Sequence, residues 1–136
     1  MSSLNITVDT SGMERLIQQE PQRVDRWLRG VAAVMVSDVK TMFNTGPGGR
    51  SYRRGKKWHV ASSPSHPPNV DTGTLRASIR SIPAGRLTYH IAAGTHYAPY
   101  LEYGTAKMAA RPYMGPVFAS WAKKIERDAK ENLDLE

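Results

Sequence analysis

The chain has 136 residues and a net charge of +7 at pH 7, with 40% hydrophobic and 23% charged residues. This length and composition predict one globular domain over residues 1–136, because two packed cores need a longer chain and disorder needs fewer apolar residues. No apolar run reaches the roughly 20 residues of a membrane span, and no basic-then-apolar leader is present, so we expect no membrane partner. The absence of cysteine excludes disulfides, thiolate metal ligands and cysteine nucleophiles.

The first third of the chain predicts a short strand and then helix. "LNITVD" (4–9) alternates apolar and polar residues as a strand does. Ser11 and Glu14 have the spacing of a capping box that starts a helical turn. Pro21 suits the first turn of a longer helix, which "GPGG" (46–49) ends. Its apolar stripe recurs at steps of three and four: Val24, Trp27, Leu28, Val31, Met35, Val39, Met42 and Phe43.

Residues 46–71 predict a long basic loop, since they are rich in Gly, Pro and Ser and show almost no apolar periodicity. Connections of this length are usually functional or ordered by a partner. A basic cluster with interleaved aromatics favours sequence-independent contact with double-stranded DNA or RNA backbone. A solvated, mobile loop explains the same residues. The candidate contacts to DNA or to a protein partner are Arg50, Arg53, Arg54, Lys56, Lys57 and Trp58.

The second half of the chain predicts a β-hairpin and a C-terminal helix. "LRASIRSI" (75–82) and "RLTYHIAAG" (86–94) alternate around the turn "PAG" (83–85). "YAPYLEYG" predicts a short helical turn that Gly104 ends. The last helix runs from about Gly115 to Asn132, with an apolar face formed by Phe118, Trp121, Ala122, Ile125 and Ala129. The order of elements predicts an α+β fold, with a small antiparallel sheet packed against a long N-terminal helix and a C-terminal helix.

Short motifs give little support for catalysis. "VDTG" at 70–73 invites comparison with an aspartic protease, in which two Asp-Thr-Gly loops share a proton. A turn that begins at Asp71, with Gly73 free to take a positive φ, explains the same residues, and we prefer it. The four histidines lack ligand spacing, and the glycine-rich segment does not fit G-x-x-x-x-G-K-[ST]. We therefore expect no catalytic residue, no metal and no cofactor.

The stretch "HYAPYLEYGT" (96–105) predicts a protein-contacting surface. Tyr97, Tyr100 and Tyr103 exceed what one short turn easily buries, and tyrosine is enriched at interfaces because it combines apolar area with a polar tip. A core role for the same side chains stays open. Glu102 has three open interpretations: a buried pair with Arg111, an ion pair at the rim, or a pair across subunits.

Four segments in order resemble a known family. They are Pro67-Pro68, Thr72-Gly73-Thr74-Leu75-Arg76-Ala77-Ser78, Tyr97-Ala98 with Glu102-Tyr103-Gly104-Thr105, and Arg111-Pro112-Tyr113. Together they resemble the small tail-component proteins of tailed bacteriophages, the head-to-tail joining or tail-completion family. The match covers about 64–117, and His66 stands where these proteins commonly have a glycine before the Pro-Pro pair.

The resemblance implies an α+β fold without enzymatic activity. It implies a virion protein, made in the host cytoplasm, that forms a homo-oligomeric ring at the neck or tail. Its partners would be other copies, neighbouring neck and tail proteins, and the double-stranded DNA that passes through the channel. The alternative is a small nonspecific nucleic-acid-binding protein that uses residues 50–58. We predict interface residues at Tyr97, Tyr100, Glu102, Tyr103, Arg111 and Tyr113.

Overall fold

The computed structural model describes residues 12–43, 45, 48–54, 56–62, 73–106 and 110–134. The elements in chain order are α1 (Met13–Gln19), α2 (Pro21–Thr41), β1 (Gly48–Arg54), β2 (Lys57–Ser62), α3 (Thr74–Ser78), β3 (Arg80–Pro83), β4 (Tyr89–Ala92), α4 (Ala98–Tyr103) and α5 (Gly115–Asn132). The strands form two antiparallel pairs, β1 with β2 and β3 with β4. The predicted α+β fold is confirmed. The predicted strand at 4–9, the capping residue Ser11 and the turn residue Asp71 lie outside the described residues.

Helices α2 and α5 form the framework of the fold, and both begin with a proline in the first turn, as predicted. Two reciprocal hydrogen bonds join them. The indole Nε1 of Trp27 donates to Asp128 Oδ2 at 2.9 Å, and the indole Nε1 of Trp121 donates to Asp38 Oδ2 at 2.8 Å. The earlier residue of one helix meets the later residue of the other, so the helices run antiparallel. Each indole N–H therefore has its acceptor on the opposite helix.

The core is one cluster that joins α2 and α5 to α3, α4 and the segment before α5. Because apolar side chains recur at helical spacing in α2 and α5, each of these two helices contributes a stripe to the cluster. Its buried members are Val31, Met35, Val39, Phe43, Leu75, Ile79, Ala98, Tyr113, Val117, Trp121 and Ile125. In the part of the chain that the structure describes, no helix has both the length and the apolar character needed to cross a bilayer.

The predicted strand at 75–82 is wrong in its first half. Residues Thr74–Ser78 form α3, and strand β3 begins only at Arg80. Leu75 and Ile79 are buried while Ala77 is exposed, which is helical spacing, since positions four apart share a helix face. Positions 75 and 79 also fit a strand, so the alternation misled the sequence interpretation. The β3–β4 hairpin itself is confirmed, with Pro83 opposite Tyr89. Its turn is longer than the predicted 83–85, because Pro83 belongs to β3 and β4 begins only at Tyr89.

The predicted loop at 46–71 is wrong over residues 48–62, which form the antiparallel hairpin β1–β2. The backbone pairing brings Arg53 opposite Trp58 and Arg54 opposite Lys57. A hairpin built mostly from polar and basic residues has no apolar alternation, so the sequence pattern does not reveal it. Lys56 is exposed. The structure does not describe the side chains of the other predicted contact residues in this hairpin. Their role stays a prediction.

Candidate subunit interface on helix α4

Helix α4 has one face in the core and one face in solvent. Ala98 is buried and Leu101 packs against the core cluster. Tyr100 and Tyr103 are 54% and 49% exposed. Residues three apart lie on the same side of a helix, so α4 presents these two tyrosines side by side to solvent.

Tyr100 and Tyr103 are the aromatic members of the exposed large hydrophobic residues in the described part of the chain. Besides them, only Val34 on α2 is a large hydrophobic residue with comparable exposure in that part of the chain. Neither phenol hydroxyl has a hydrogen-bond partner there. A pair of rigid aromatic side chains with free polar tips can pack against another protein and hydrogen-bond to it at small entropic cost. This geometry fits the predicted contact surface for Tyr100 and Tyr103.

Glu102 holds the start of α5 in place. Its carboxylate accepts three backbone N–H hydrogen bonds, from Gly115 at 2.6 Å, Tyr113 at 2.9 Å and Met114 at 3.0 Å. Helix α5 has no side-chain cap of its own, and its first N–H groups lack intrahelical acceptors. A carboxylate there also complements the positive end of the helix dipole. Glu102 therefore stabilises the fold from within, and its predicted role as a contact residue stays a prediction.

Gly115 and Arg111 complete the junction between α4 and α5. A Cβ atom at position 115 would lie 3.0 Å from Glu102 Oε1, so glycine leaves room for the carboxylate. The backbone N–H of Arg111 donates to Leu101 O. Arg111 is half-buried, and its Nε has no hydrogen-bond partner among the described residues. Among the described residues the contacts of the Glu102 carboxylate are thus to backbone, and the pair with Arg111, one of the three open interpretations, is not formed.

Tyr113 belongs to the core, so its prediction as an interface residue is wrong. It is 1% exposed, and its ring centroid lies 5.5 Å from that of Phe43. Its hydroxyl donates to Ala98 O at 3.2 Å, which satisfies the polar tip without a partner protein. Tyr97 is half-buried and also packs against the core cluster, with His96 edge-on to its ring. Of the predicted tyrosines, only Tyr100 and Tyr103 have about half of their surface exposed.

The buried phenol of Tyr113 gives a prediction for alkaline pH. Burial, with the nearby Glu102 charge, raises its pKa above the ordinary 10.0. The folded state then holds this proton more tightly than the unfolded chain does, so the stabilisation is complete below pH 10 and is lost as pH rises. The free energy of unfolding should fall by up to about 1.4 kcal/mol per pH unit from this group alone.

Urea denaturation at pH 9, 10 and 11 checks this expectation. Tyr113→Phe should show a shallower loss than the wild type over that range, after an initial cost of about 1 kcal/mol for the lost hydrogen bond. Tyr103→Phe is the matched control, because its phenol is exposed, and it should follow the wild type. Identical pH dependence for Tyr113→Phe and the wild type would contradict the burial argument.

Gly104 ends α4 in a backbone conformation that other residues avoid, with φ 77° and ψ 177°. Gly104→Ala should lower the free energy of unfolding by about 1–3 kcal/mol because that region is almost restricted to glycine. Gly30→Ala is the matched control, since a Cβ there meets nothing within 4 Å. It should raise the free energy of unfolding by about 0.5–1 kcal/mol through helix propensity. Equal effects in chemical denaturation would show that the cap does not depend on glycine.

Sequence reasoning missed the role of Glu102, although one signal was present. The segment before α5, "ARPYMGPV", offers no Ser, Thr, Asp or Asn to cap the helix. A helix that begins without such a residue needs a partner from elsewhere in the chain. For metals, no group of three His, Asp or Glu residues within the described ranges is placed to bind an ion.

Comparisons with protein-family models, with curated proteins and with solved structures find no match to this chain. The ordered motifs and the surface of α4 are therefore the features that bear on function. The structure gives a small α+β domain whose candidate contact surface is the exposed tyrosine pair on α4.

Proposed function

We propose that this protein is a structural subunit that joins or completes the tail at the neck of a tailed bacteriophage, as part of a ring around the DNA channel. The observation that carries the proposal is the solvent-exposed pair Tyr100 and Tyr103, within the motif that the chain shares with the family it resembles. The proposal assigns no reaction and no cofactor to the protein.

The construction of α4 suits a contact surface. Ala98 and Leu101 fix the helix to the core, and Glu102 ties its far side to α5. The exposed tyrosines are therefore held on a rigid base before any partner arrives. Because little backbone entropy remains to be lost, more of the contact energy contributes to affinity.

A ring subunit needs two different faces that fit each other by rotation. The tyrosine pair on α4 would supply one of them, and the other would lie on a second copy or on a neighbouring neck or tail protein. The net charge of +7 is compatible with DNA that passes close by without being gripped, since diffuse charge attracts phosphates without reading sequence.

A second candidate is a nonspecific nucleic-acid-binding protein that uses the β1–β2 hairpin. The observation that favours it is the backbone register, which gathers Arg53, Arg54, Lys57 and Trp58 at one end of the hairpin, beside Lys56. In this case, neutralising the four basic residues should abolish DNA binding and reduce its salt dependence by about one unit of slope per lost phosphate contact.

Removal of the gene from the genome that carries it tests the proposal. After induction, electron micrographs of the lysate should show filled heads and separate tails, and supplying the protein should restore joined particles. Normal joined particles without the protein would contradict the proposal. In that event, DNA binding across a salt series would decide the second candidate.

A further inference from the structure

A cleft of about 400 Å³ lies between the start of α2 and the turn that joins β3 to β4. Arg26 and Arg29 line it from α2, and Arg86 lines it from the turn. Arg26 and Arg29 are three residues apart and so share a helix face. Three arginines from two separate elements thus line one shallow, open cleft.

Arg29 is held in place by a closed set of hydrogen bonds. Its Nη2 donates to Asp25 Oδ2 at 3.1 Å and its Nε to Tyr89 Oη at 3.3 Å. The Tyr89 hydroxyl in turn donates to Asp25 Oδ1 at 2.9 Å. The hydrogen bond with Tyr89 raises the pKa of Arg29, and the Asp25 charge adds to it. These contacts tie β4 to α2 and fix one wall of the cleft.

Asp25 is the one acidic residue among those that line the cleft, and Arg29 and Tyr89 already occupy its carboxylate. Arg26 and Arg86 are exposed and have no side-chain partner within the described residues. The cleft therefore carries two positive charges with no partner. Such a surface attracts an anion. Its single carboxylate opposes this little, because Asp25 already accepts hydrogen bonds from Arg29 and Tyr89.

The turn holds Arg86 at the rim of the cleft. The backbone N–H of Ala84 donates to Thr88 O at 2.9 Å, and the Thr88 hydroxyl donates to Arg86 O at 3.0 Å. Gly85 and Leu87, on either side of Arg86, both have positive φ. A non-glycine residue in that region is uncommon and is maintained by its surroundings. The turn conformation is therefore specific, and so is the position of the Arg86 backbone.

We propose that this cleft binds phosphate groups of a nucleic-acid backbone through Arg26 and Arg86, with Arg29 as the fixed wall. Guanidinium groups present planar donors that match phosphate oxygens. The exposed position of both arginines suits a phosphate that belongs to a long polyanion better than an enclosed small molecule. The proposal stands on residues other than the α4 tyrosines, so it does not depend on the assembly role.

Binding of the full-length chain to a fluorescein-labelled 20-bp duplex, measured by anisotropy over a salt series, tests the proposal. The double variant Arg26→Gln/Arg86→Gln should reduce the slope of log K against log salt by about 1.8, for two lost phosphate contacts. Arg26→Lys/Arg86→Lys keeps both charges and should keep most of the slope. The matched control Lys123→Gln/Arg127→Gln removes the same charge from α5 and should have a smaller effect.

Far-UV circular dichroism and thermal unfolding first establish that each variant is folded. Equal slopes for the cleft variant and the α5 control would overturn the proposal, because the loss would then reflect net charge alone. Inorganic phosphate and a polyglutamate peptide serve as competitors. If inorganic phosphate binds at the cleft arginines while Arg26→Gln/Arg86→Gln leaves the salt slope of duplex binding unchanged, the cleft binds free phosphate. In that case the assignment to a nucleic-acid backbone fails. If polyglutamate displaces the duplex from the cleft as well as inorganic phosphate does at equal charge, the cleft does not select phosphate and the assignment to phosphate fails.

Discussion

The double variant Tyr100→Ala/Tyr103→Ala should fold like the wild type and yet leave heads and tails unjoined. Both side chains are about half exposed, so their removal should change the free energy of unfolding by no more than about 0.5 kcal/mol. At an interface, truncation of a central aromatic costs about 2 kcal/mol or more, which weakens the contact about 30-fold per tyrosine. Counts of joined particles after complementation of a gene deletion measure the effect.

Val34→Ala is the matched control for this prediction. Val34 is 49% exposed, as Tyr103 is, but it lies on α2 away from the shared motif. Complementation with Val34→Ala should restore joined particles to the wild-type number. Two results would contradict the proposed contact surface on α4. One is full complementation by the double tyrosine variant. The other is unfolding of that variant in isolation, which would show that the tyrosines stabilise the fold.

Glu102→Ala should have the largest effect on stability among the α4 substitutions. It removes three backbone N–H acceptors at the start of α5 at once. A hydrogen bond to a charged group contributes about 1.5–3 kcal/mol, and loss of a helix cap costs about 0.5–2 kcal/mol. Because these contributions overlap, we expect the free energy of unfolding to fall by about 2–4 kcal/mol. Guanidinium denaturation followed by tryptophan fluorescence measures it, since Trp121 lies on α5.

Two further variants test the mechanism of that loss. Glu102→Gln keeps one acceptor oxygen but removes the charge, so it should lose less stability than Glu102→Ala. Glu126→Ala removes an exposed carboxylate that pairs with Lys130 at 3.3 Å, and exposed pairs contribute at most about 1 kcal/mol. If Glu102→Ala is no less stable than Glu126→Ala, the Glu102 carboxylate does not stabilise the start of α5.

The long helices could be predicted because their apolar residues recur over many turns. In α2 the stripe from Val24 to Val39 admits only helical spacing, and in α5 the proline in the first turn fixes the start. Short elements carry too few residues to separate the two periods. Leu75 and Ile79 fit a strand as well as a helical turn, and only the exposure of Ala77 distinguishes them.

The candidate site could be predicted in part, because sequence shows which residues are close in the chain but not which acceptors meet which donors. The number of tyrosines in the short turn predicts that some are exposed, and Tyr100 and Tyr103 are about half exposed. The burial of Tyr113 depends on Ala98 O and Phe43, which lie far away in sequence. The same holds for the cleft, since nothing local connects Arg26 with Arg86. Contacts of this kind arise from packing and are visible only in the fold.

The most direct test of the proposed role places a photo-crosslinking amino acid, p-benzoylphenylalanine, at position 103 of the protein in assembled particles. Ultraviolet irradiation followed by mass spectrometry then identifies what lies against α4. The account predicts crosslinks to another copy of this chain or to a neck or tail protein, with few from the same label at the exposed α5 position 123. Particles that contain the labelled chain but show no crosslink from position 103 would contradict it.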